Sequence, residues 1–204
     1  MNTNSVPKQD DVFKRFLLLY GLFMLVSNAA YLHAYHFLPE GFLRGSAVQA
    51  PGEVSATGTF WSEMALTFLL NFGLVLLMSV SFNVVQIKGI PIGYFPLICL
   101  ALVSGMTAGS NSFGLSDLKQ FNVWEGTAIN LGIGGLEFLG YILIVAATAS
   151  IVVYYFSSWT QLKPTKLKNF RDIRLSKGEV VCLISGIVLL LVAAYRETVV
   201  AIGA

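Results

Sequence analysis

The stretch from residue 124 to residue 156 most limits how this chain can fold. Its 33 residues are a nearly uninterrupted run of apolar or small side chains that contains Glu137. A helix needs only about 20 such residues to cross a bilayer core of about 30 Å. One straight span would overshoot, so we predict a bend at the glycines around Gly134. The expected result is a re-entrant arm over residues 124–133 and a full span over residues 136–156.

The composition places the whole chain in a membrane. Of its 204 residues, 55% are hydrophobic and 12% are charged, whereas soluble domains average about 25% charged residues. The sequence holds no phosphate-binding loop of the Walker type, no CxxC and no Cys/His cluster. These features predict no enzyme, no cofactor and no nucleic-acid partner, and they exclude soluble nucleotide chemistry.

The apolar runs predict an all-α fold, a polytopic transmembrane helix bundle with five spans plus the one re-entrant or broken segment. We expect a single transmembrane domain over residues 1–204, with a basic loop over residues 157–179. The predicted spans cover residues 16–37, 64–85, 91–108, 136–156 and 180–202.

The basic residues predict the orientation of this bundle. With a cytoplasmic N-terminus, ten of the thirteen Lys and Arg residues lie on the cytoplasmic side, six of them between residues 163 and 177. Cytoplasmic loops of membrane proteins carry such an excess of Lys and Arg. We therefore expect a multi-pass protein of the cell (inner or plasma) membrane, with its C-terminus outside.

Three motifs resemble those of the stage II sporulation protein M family, a group of integral membrane proteins. The segment from Lys88 to Gly93 resembles the family's Asn-Gly-x-x-x-Gly turn, with Gly89 and Gly93 as its glycines. The segment from Gly134 to Glu137 is similar to its Gly-x-x-Glu motif, and Glu197 resembles the glutamate of its last span. The resemblance covers about residues 62–204. It implies a helical membrane architecture and an organising role within a larger complex.

Two acidic side chains within the predicted spans are candidates for a functional site. A carboxylate at membrane depth needs water, a partner or a proton. Glu137 and Glu197 can form a protonatable or cation-binding site, since two close carboxylates can share a proton. The alternative is a structural clamp in which Glu137 caps the broken helix or pairs with Arg196. Arg196 itself is a poor partner for Glu197, because adjacent helical residues point apart.

Two further sets of side chains have structural and functional interpretations. His33 and His36 lie one helical turn apart and are candidates for a metal or a haem, with Glu40 one turn further on. Their structural interpretation is a position among the lipid headgroups. The intramembrane amides Asn71, Asn83 and Asn130 either tie helices together or line a solute path. Gly105-x-x-x-Gly109 is a small-residue contact motif.

The function that these features favour is that of a non-enzymatic scaffold or accessory subunit of a larger membrane complex. Its expected partners are the lipid bilayer and other integral membrane subunits, and a homo-oligomer stays open. The first alternative is a small channel or transporter with a site at Glu137 and Glu197. The second is a metal- or haem-associated subunit of a redox or photosynthetic complex that uses His33 and His36.

Overall fold

Five helices and a small sheet make up the structure, a computed structural model that describes residues 11–46, 59–112 and 123–202. The helices are α1 (Val12–Phe37), α2 (Phe60–Val75), α3 (Tyr94–Gly109), α4 (Val123–Thr148) and α5 (Lys177–Ile202). A π-helical turn (Leu76–Val80) and a 3-10 turn (Ser81–Val84) extend α2. The strands are β1 (Val85–Ile87), β2 (Ile90–Pro91), β3 (Tyr154–Phe156) and β4 (Thr165–Lys166), and a short 3-10 turn (Phe170–Asp172) follows them.

Three of the helical segments are long and apolar enough to cross a membrane. They are Val12–Phe37, Phe60–Val84 and Lys177–Val199. Helix α3 and the apolar part of α4, Gly134–Thr148, are shorter. The chain is thus a helical, membrane-embedded protein, and the count of five spans stays a prediction.

Helix α4 corrects the predicted break at the glycines. It runs without interruption through Gly134, and the chain leaves the helix at Thr148 instead of continuing to residue 156. The residues of the apolar run that exceed the helix therefore lie at its C-terminal end, after Thr148. Glycine inside a helix costs only about 1 kcal/mol relative to alanine, and an unbroken helix keeps every backbone hydrogen bond satisfied in lipid. The predicted break between an arm over residues 124–133 and a span over residues 136–156 was wrong, and so was residue 156 as the end of that helix, since residues 154–156 form β3.

The four-stranded sheet corrects the all-α prediction. Its order is β2-β1-β3-β4, with β1 parallel to β3 and the other two pairs antiparallel. Lys88 and Gly89 connect β1 to β2 with φ angles of 51° and 84°. A two-residue hairpin turn of type I′ needs positive φ at both positions, which glycine adopts at no steric cost. The segments that leave α2 and α4 meet as β1 and β3.

Glycines allow two pairs of helices to approach closely. Helix α3 lies against α1 at the predicted contact motif, where a Cβ added at Gly109 would be 2.3 Å from the Tyr31 carbonyl oxygen. Helices α4 and α5 cross at Gly140 and Gly186, and a Cβ at Gly186 would be 2.9 Å from the Gly140 carbonyl oxygen. Small residues bring helix backbones together in this way in membranes. The helices thus form a tightly packed bundle.

The two ends of the bundle are built differently. At the sheet end lie the sheet, the first turns of α1, α3 and α5, the last turn of α4 and the 3-10 turn that extends α2. At the far end, hydrogen bonds tie the loop after α1 to the loop after α3. The Gly41 amide donates to the Ser110 carbonyl oxygen at 2.7 Å, and the Asn111 side-chain amide donates to Glu40 Oε1 at 2.8 Å.

Candidate functional site

Glu137 and Tyr141 form a hydrogen-bonded pair inside the bundle. They lie one turn apart on α4, and the Tyr141 hydroxyl donates to Glu137 Oε1. Tyr141 is buried in the core beside residues of α1 and α5. Glu137 is eleven residues from the end of the helix at Thr148, about 16 Å at 1.5 Å per residue. The carboxyl group therefore lies near the middle of α4 and is bound by a phenol from its own helix.

Glu197 lies on the neighbouring helix, nearer the far end. It is twenty residues from Lys177, about 30 Å along α5. Helix α5 packs against α4, the helix that carries Glu137. Within the described ranges, no hydrogen bond joins the two acids, and Glu197 is exposed at the bundle surface. The two acids thus lie on adjacent helices at different distances from the sheet end.

Arg196 does not pair with Glu137 in the part of the chain that the structure describes. Its side chain is exposed, and its Nη2 atom lies 4.0 Å from the position of a Cβ added at Gly132. Gly132 is five residues from Glu137, a rise of about 7.5 Å along α4. The packing of α5 on α4 therefore places the guanidinium a full turn beyond the carboxylate. The clamp expected between these two residues was wrong.

Asn83 connects three elements at the sheet end. Its side chain is fully buried, and its amide nitrogen donates to the Val145 carbonyl oxygen at 3.1 Å and to Thr148 Oγ1 at 2.9 Å. These bonds join the end of α2 to the end of α4. A Cβ added at Gly93 would lie 2.3 Å from Asn83 Oδ1 and 2.2 Å from the Ser79 carbonyl oxygen. The start of α3 can thus rest on Asn83 only because residue 93 is a glycine.

We expect Asn83→Ala to lower the free energy of unfolding by about 1 to 3 kcal/mol. The substitution removes both hydrogen bonds and leaves a cavity among buried polar groups, and a loss of this size is usual for such groups. Asn71→Ala is the matched control, because Asn71 belongs to the same continuous helical segment, Phe60–Val84, and makes no hydrogen bond within the described ranges. Thermal unfolding of the purified chain in detergent measures both. Equal melting temperatures for the two variants would contradict this role.

The other candidate residues have different surroundings. Asn71 is half-buried near the middle of α2, and Asn130 lies on α4 with its side chain outside the described part of the structure. Gly134 is inside α4, not in a turn, and lies under the ring of Phe138.

His33 and His36 lie at the surface near the end of α1. Both side chains are exposed, and their rings contact aromatic neighbours at centroid distances of 5.1 Å, His33 with Phe37 and His36 with Tyr35. Helix α1 ends before Glu40, which bonds to Asn111 instead of joining the histidines. In the described ranges, no three His, Cys, Asp or Glu side chains lie close enough to hold a metal ion.

A buried ion pair lies at the sheet end, and it was not among the contacts predicted from the sequence. Arg15 donates from Nη2 to Glu179 Oε1 at 2.6 Å and from Nη1 to the Ala146 carbonyl oxygen at 2.9 Å. The pair joins the first turns of α1 and α5 to the last turn of α4. Glu179 also accepts from the Ser176 amide at 2.8 Å, and Ser176 Oγ accepts from the Glu179 amide at 3.3 Å. This capping box is the sequence signal, Ser-x-x-Glu, that marks where α5 begins.

Comparison with known proteins adds no relative: no family model, no curated protein and no solved structure matches this chain. The resemblance to the stage II sporulation protein M family therefore stays a prediction.

Proposed function

We propose that this chain is a non-enzymatic scaffold or accessory subunit of a larger membrane complex. The observation that carries the proposal is the amide of Asn71. It lies near the middle of a segment, Phe60–Val84, of which only 17% of the most apolar stretch is buried within the chain. Within the described ranges it makes no hydrogen bond. An amide at this depth is stabilised by a partner on an adjacent helix, so we assign this side of α2 to a neighbouring subunit.

The packing of the bundle supports the same function. Close crossings at glycines and the hydrogen bonds at both ends favour a rigid body, as a scaffold requires. The excess of basic residues on the side of the sheet end favours a cytoplasmic location for that end. We place the N-terminus in the cytoplasm and the C-terminus outside, in the cell membrane. The organising role that the sporulation-protein resemblance implies agrees with this proposal.

A small channel or transporter is the second candidate, favoured by the Glu137 and Tyr141 pair at middle depth. Such a pair, with Glu197 close by, is suited to exchange a proton or hold a cation. Glu137→Gln in liposomes tests it, since the variant should abolish ion or solute flux while the chain stays folded. Binding of a metal or haem by His33 and His36 ranks third, because Glu40 bonds elsewhere.

Gentle extraction of the native protein, followed by mass spectrometry of what co-purifies, tests the scaffold function. We expect a membrane protein in stoichiometric amount, and we expect Asn71→Leu to weaken its retention about threefold, the effect of an interhelical bond of about 0.6 kcal/mol. Asn28→Leu is the matched control. Asn28 is also an intramembrane amide, but it donates to the Met24 carbonyl oxygen of its own helix at 2.7 Å. Recovery of the chain alone, as monomer or homo-oligomer, would contradict an accessory role.

A further inference from the structure

Two apolar side chains project from the loop that joins α4 to α5. The hairpin tip, residues 157–164, connects β3 to β4. Within it, Trp159 is 67% exposed and Leu162 is 96% exposed. The free energy falls when exposed apolar side chains are transferred out of water. The hairpin tip therefore presents a surface that favours an apolar or interfacial partner.

Polar contacts inside the hairpin tip fix its shape. Gln161 Oε1 accepts from the Ser157 amide at 2.6 Å and from Ser157 Oγ at 2.8 Å. The Ser158 and Thr160 hydroxyls are 3.0 Å apart. These bonds satisfy polar groups within the turn itself. The hairpin tip therefore loses little conformational entropy when Trp159 and Leu162 dock.

With α3 as a span, as the sequence predicts, its length requires the sheet to lie at the membrane boundary. Its 16 residues span about 24 Å, and a bilayer core is about 30 Å thick. The far end of α3 is fixed to the loop after α1. For this segment to cross with the other helices, the missing length must come from the strands that precede it. The sheet, and the hairpin tip that continues from β3, then lie at the level of the lipid headgroups.

The segment that contains the hairpin tip carries a net positive charge. Between residues 157 and 179 there are six Lys and Arg residues and two acids, Asp172 and Glu179. Glu179 is paired with Arg15, and Asp172 accepts from the Asn169 amide groups. Lys163 follows Leu162 in the tip, Lys166 lies on the adjoining strand β4, and both side chains are exposed. Basic residues at this level attract anionic lipid, and tryptophan is enriched there.

We propose that the hairpin tip docks into the headgroup layer of an anionic membrane leaflet, the leaflet on the side of the sheet end. Trp159 and Leu162 insert between the lipids, while Lys163 and Lys166 contact the phosphates. This docking is independent of any partner subunit at α2. It would hold the loop flat against the membrane in which the helices are embedded.

Fluorescence of Trp159 in nanodiscs tests the proposal with the full chain. Trp61→Phe and Trp124→Phe remove the other two tryptophans, both of which are exposed. In phosphatidylcholine discs that contain phosphatidylglycerol, we expect brominated lipid to quench Trp159 and iodide in the water to quench it poorly. In discs of phosphatidylcholine alone, the inserted fraction should fall. Replacing Lys163 and Lys166 by glutamine should shift the insertion equilibrium about fivefold for each residue.

Lys14→Gln is the matched control, because Lys14 is an exposed lysine at the same end of the bundle. It should leave the quenching of Trp159 unchanged. Ready quenching by iodide in anionic discs, or equal insertion with and without phosphatidylglycerol, would overturn the proposal. Protection from iodide without quenching by brominated lipid would show that Trp159 packs against protein rather than lipid, and would also overturn the proposal.

Discussion

Arg15→Met is expected to lower the free energy of unfolding by about 3 to 5 kcal/mol, the usual cost of leaving a buried charge without its partner. Glu179 is only 2% exposed and lies 2.6 Å from the Arg15 guanidinium. Methionine matches the arginine side chain in length but offers no charge. It would also leave the Ala146 carbonyl oxygen, in the last turn of α4, without its side-chain donor. Unfolding of the purified chain in mixed micelles, followed by circular dichroism, measures the loss.

Three variants separate this ion pair from a general effect of charge. Lys14→Met removes the neighbouring exposed charge and should change stability by less than about 0.5 kcal/mol. Arg15→Lys should recover only part of the loss, since one ammonium group does not reproduce the two-pronged contact of a guanidinium. Arg15→Met combined with Glu179→Gln should be more stable than Arg15→Met alone, because the unpaired charge is gone. A loss for Arg15→Met no greater than for Lys14→Met would show that the pair contributes nothing.

The sequence predicts most of the helices well, and the reason is physical. The predicted span over residues 16–37 corresponds to Val12–Phe37, and the span over residues 180–202 corresponds to Lys177–Ile202. Long apolar runs end where charged or helix-breaking residues begin, so composition alone locates them. The contact of Gly105-x-x-x-Gly109 with α1 was foreseeable for a similar reason, because small residues four apart form a groove on one helix face.

The end of α4 shows where such reasoning fails. A run of 33 apolar residues must deviate somewhere, and hydropathy does not indicate the place. The glycines suggested the N-terminal part, whereas the helix ends at Thr148. The residues from Ile151 to Phe156 are β-branched or aromatic, the types that strands favour. That local preference was the signal for β3, and periodicity could not show that β1 would be its partner.

Contacts between residues that are far apart along the chain could not be predicted from the sequence. Arg15 and Glu179 are 164 residues apart. Nothing in the sequence indicated that they pair, and Arg15 was used only to predict the orientation of the bundle in the membrane. Glu137 illustrates the converse error, because a carboxylate in a span invites a search for a distant cation. Its hydrogen-bond donor is Tyr141, one turn along the same helix. The (i, i+4) spacing of these two residues was visible in the sequence and would have given the right partner.

Gly105→Ala should cost about 3 kcal/mol of stability, at the upper end of the usual range for an overpacked core. A Cβ at this position would lie 2.1 Å from the Ser27 carbonyl oxygen and 2.9 Å from the Ala30 Cβ. A backbone oxygen of α1 cannot rotate away, so the two helices must separate. Because the Ser27 oxygen makes the closest contact, Ala30→Gly should not rescue the variant. Thermal unfolding of the purified chain in detergent measures the loss.

Alanine substitutions at two other glycines test whether the loss of stability depends on how closely the new Cβ would approach its neighbours. A Cβ at Gly140 would lie 2.9 Å from Leu190 Cδ2 and 3.0 Å from the Gly186 carbonyl oxygen, a milder overlap than the 2.1 Å approach to the Ser27 carbonyl oxygen at Gly105. Gly140→Ala should therefore cost less than Gly105→Ala. A Cβ at Gly73 would meet nothing within 4 Å, so Gly73→Ala should be neutral, or stabilising by up to about 1 kcal/mol, since alanine favours the helix. Equal losses at the three positions would mean that the approach of α3 to α1 does not determine the stability of the bundle.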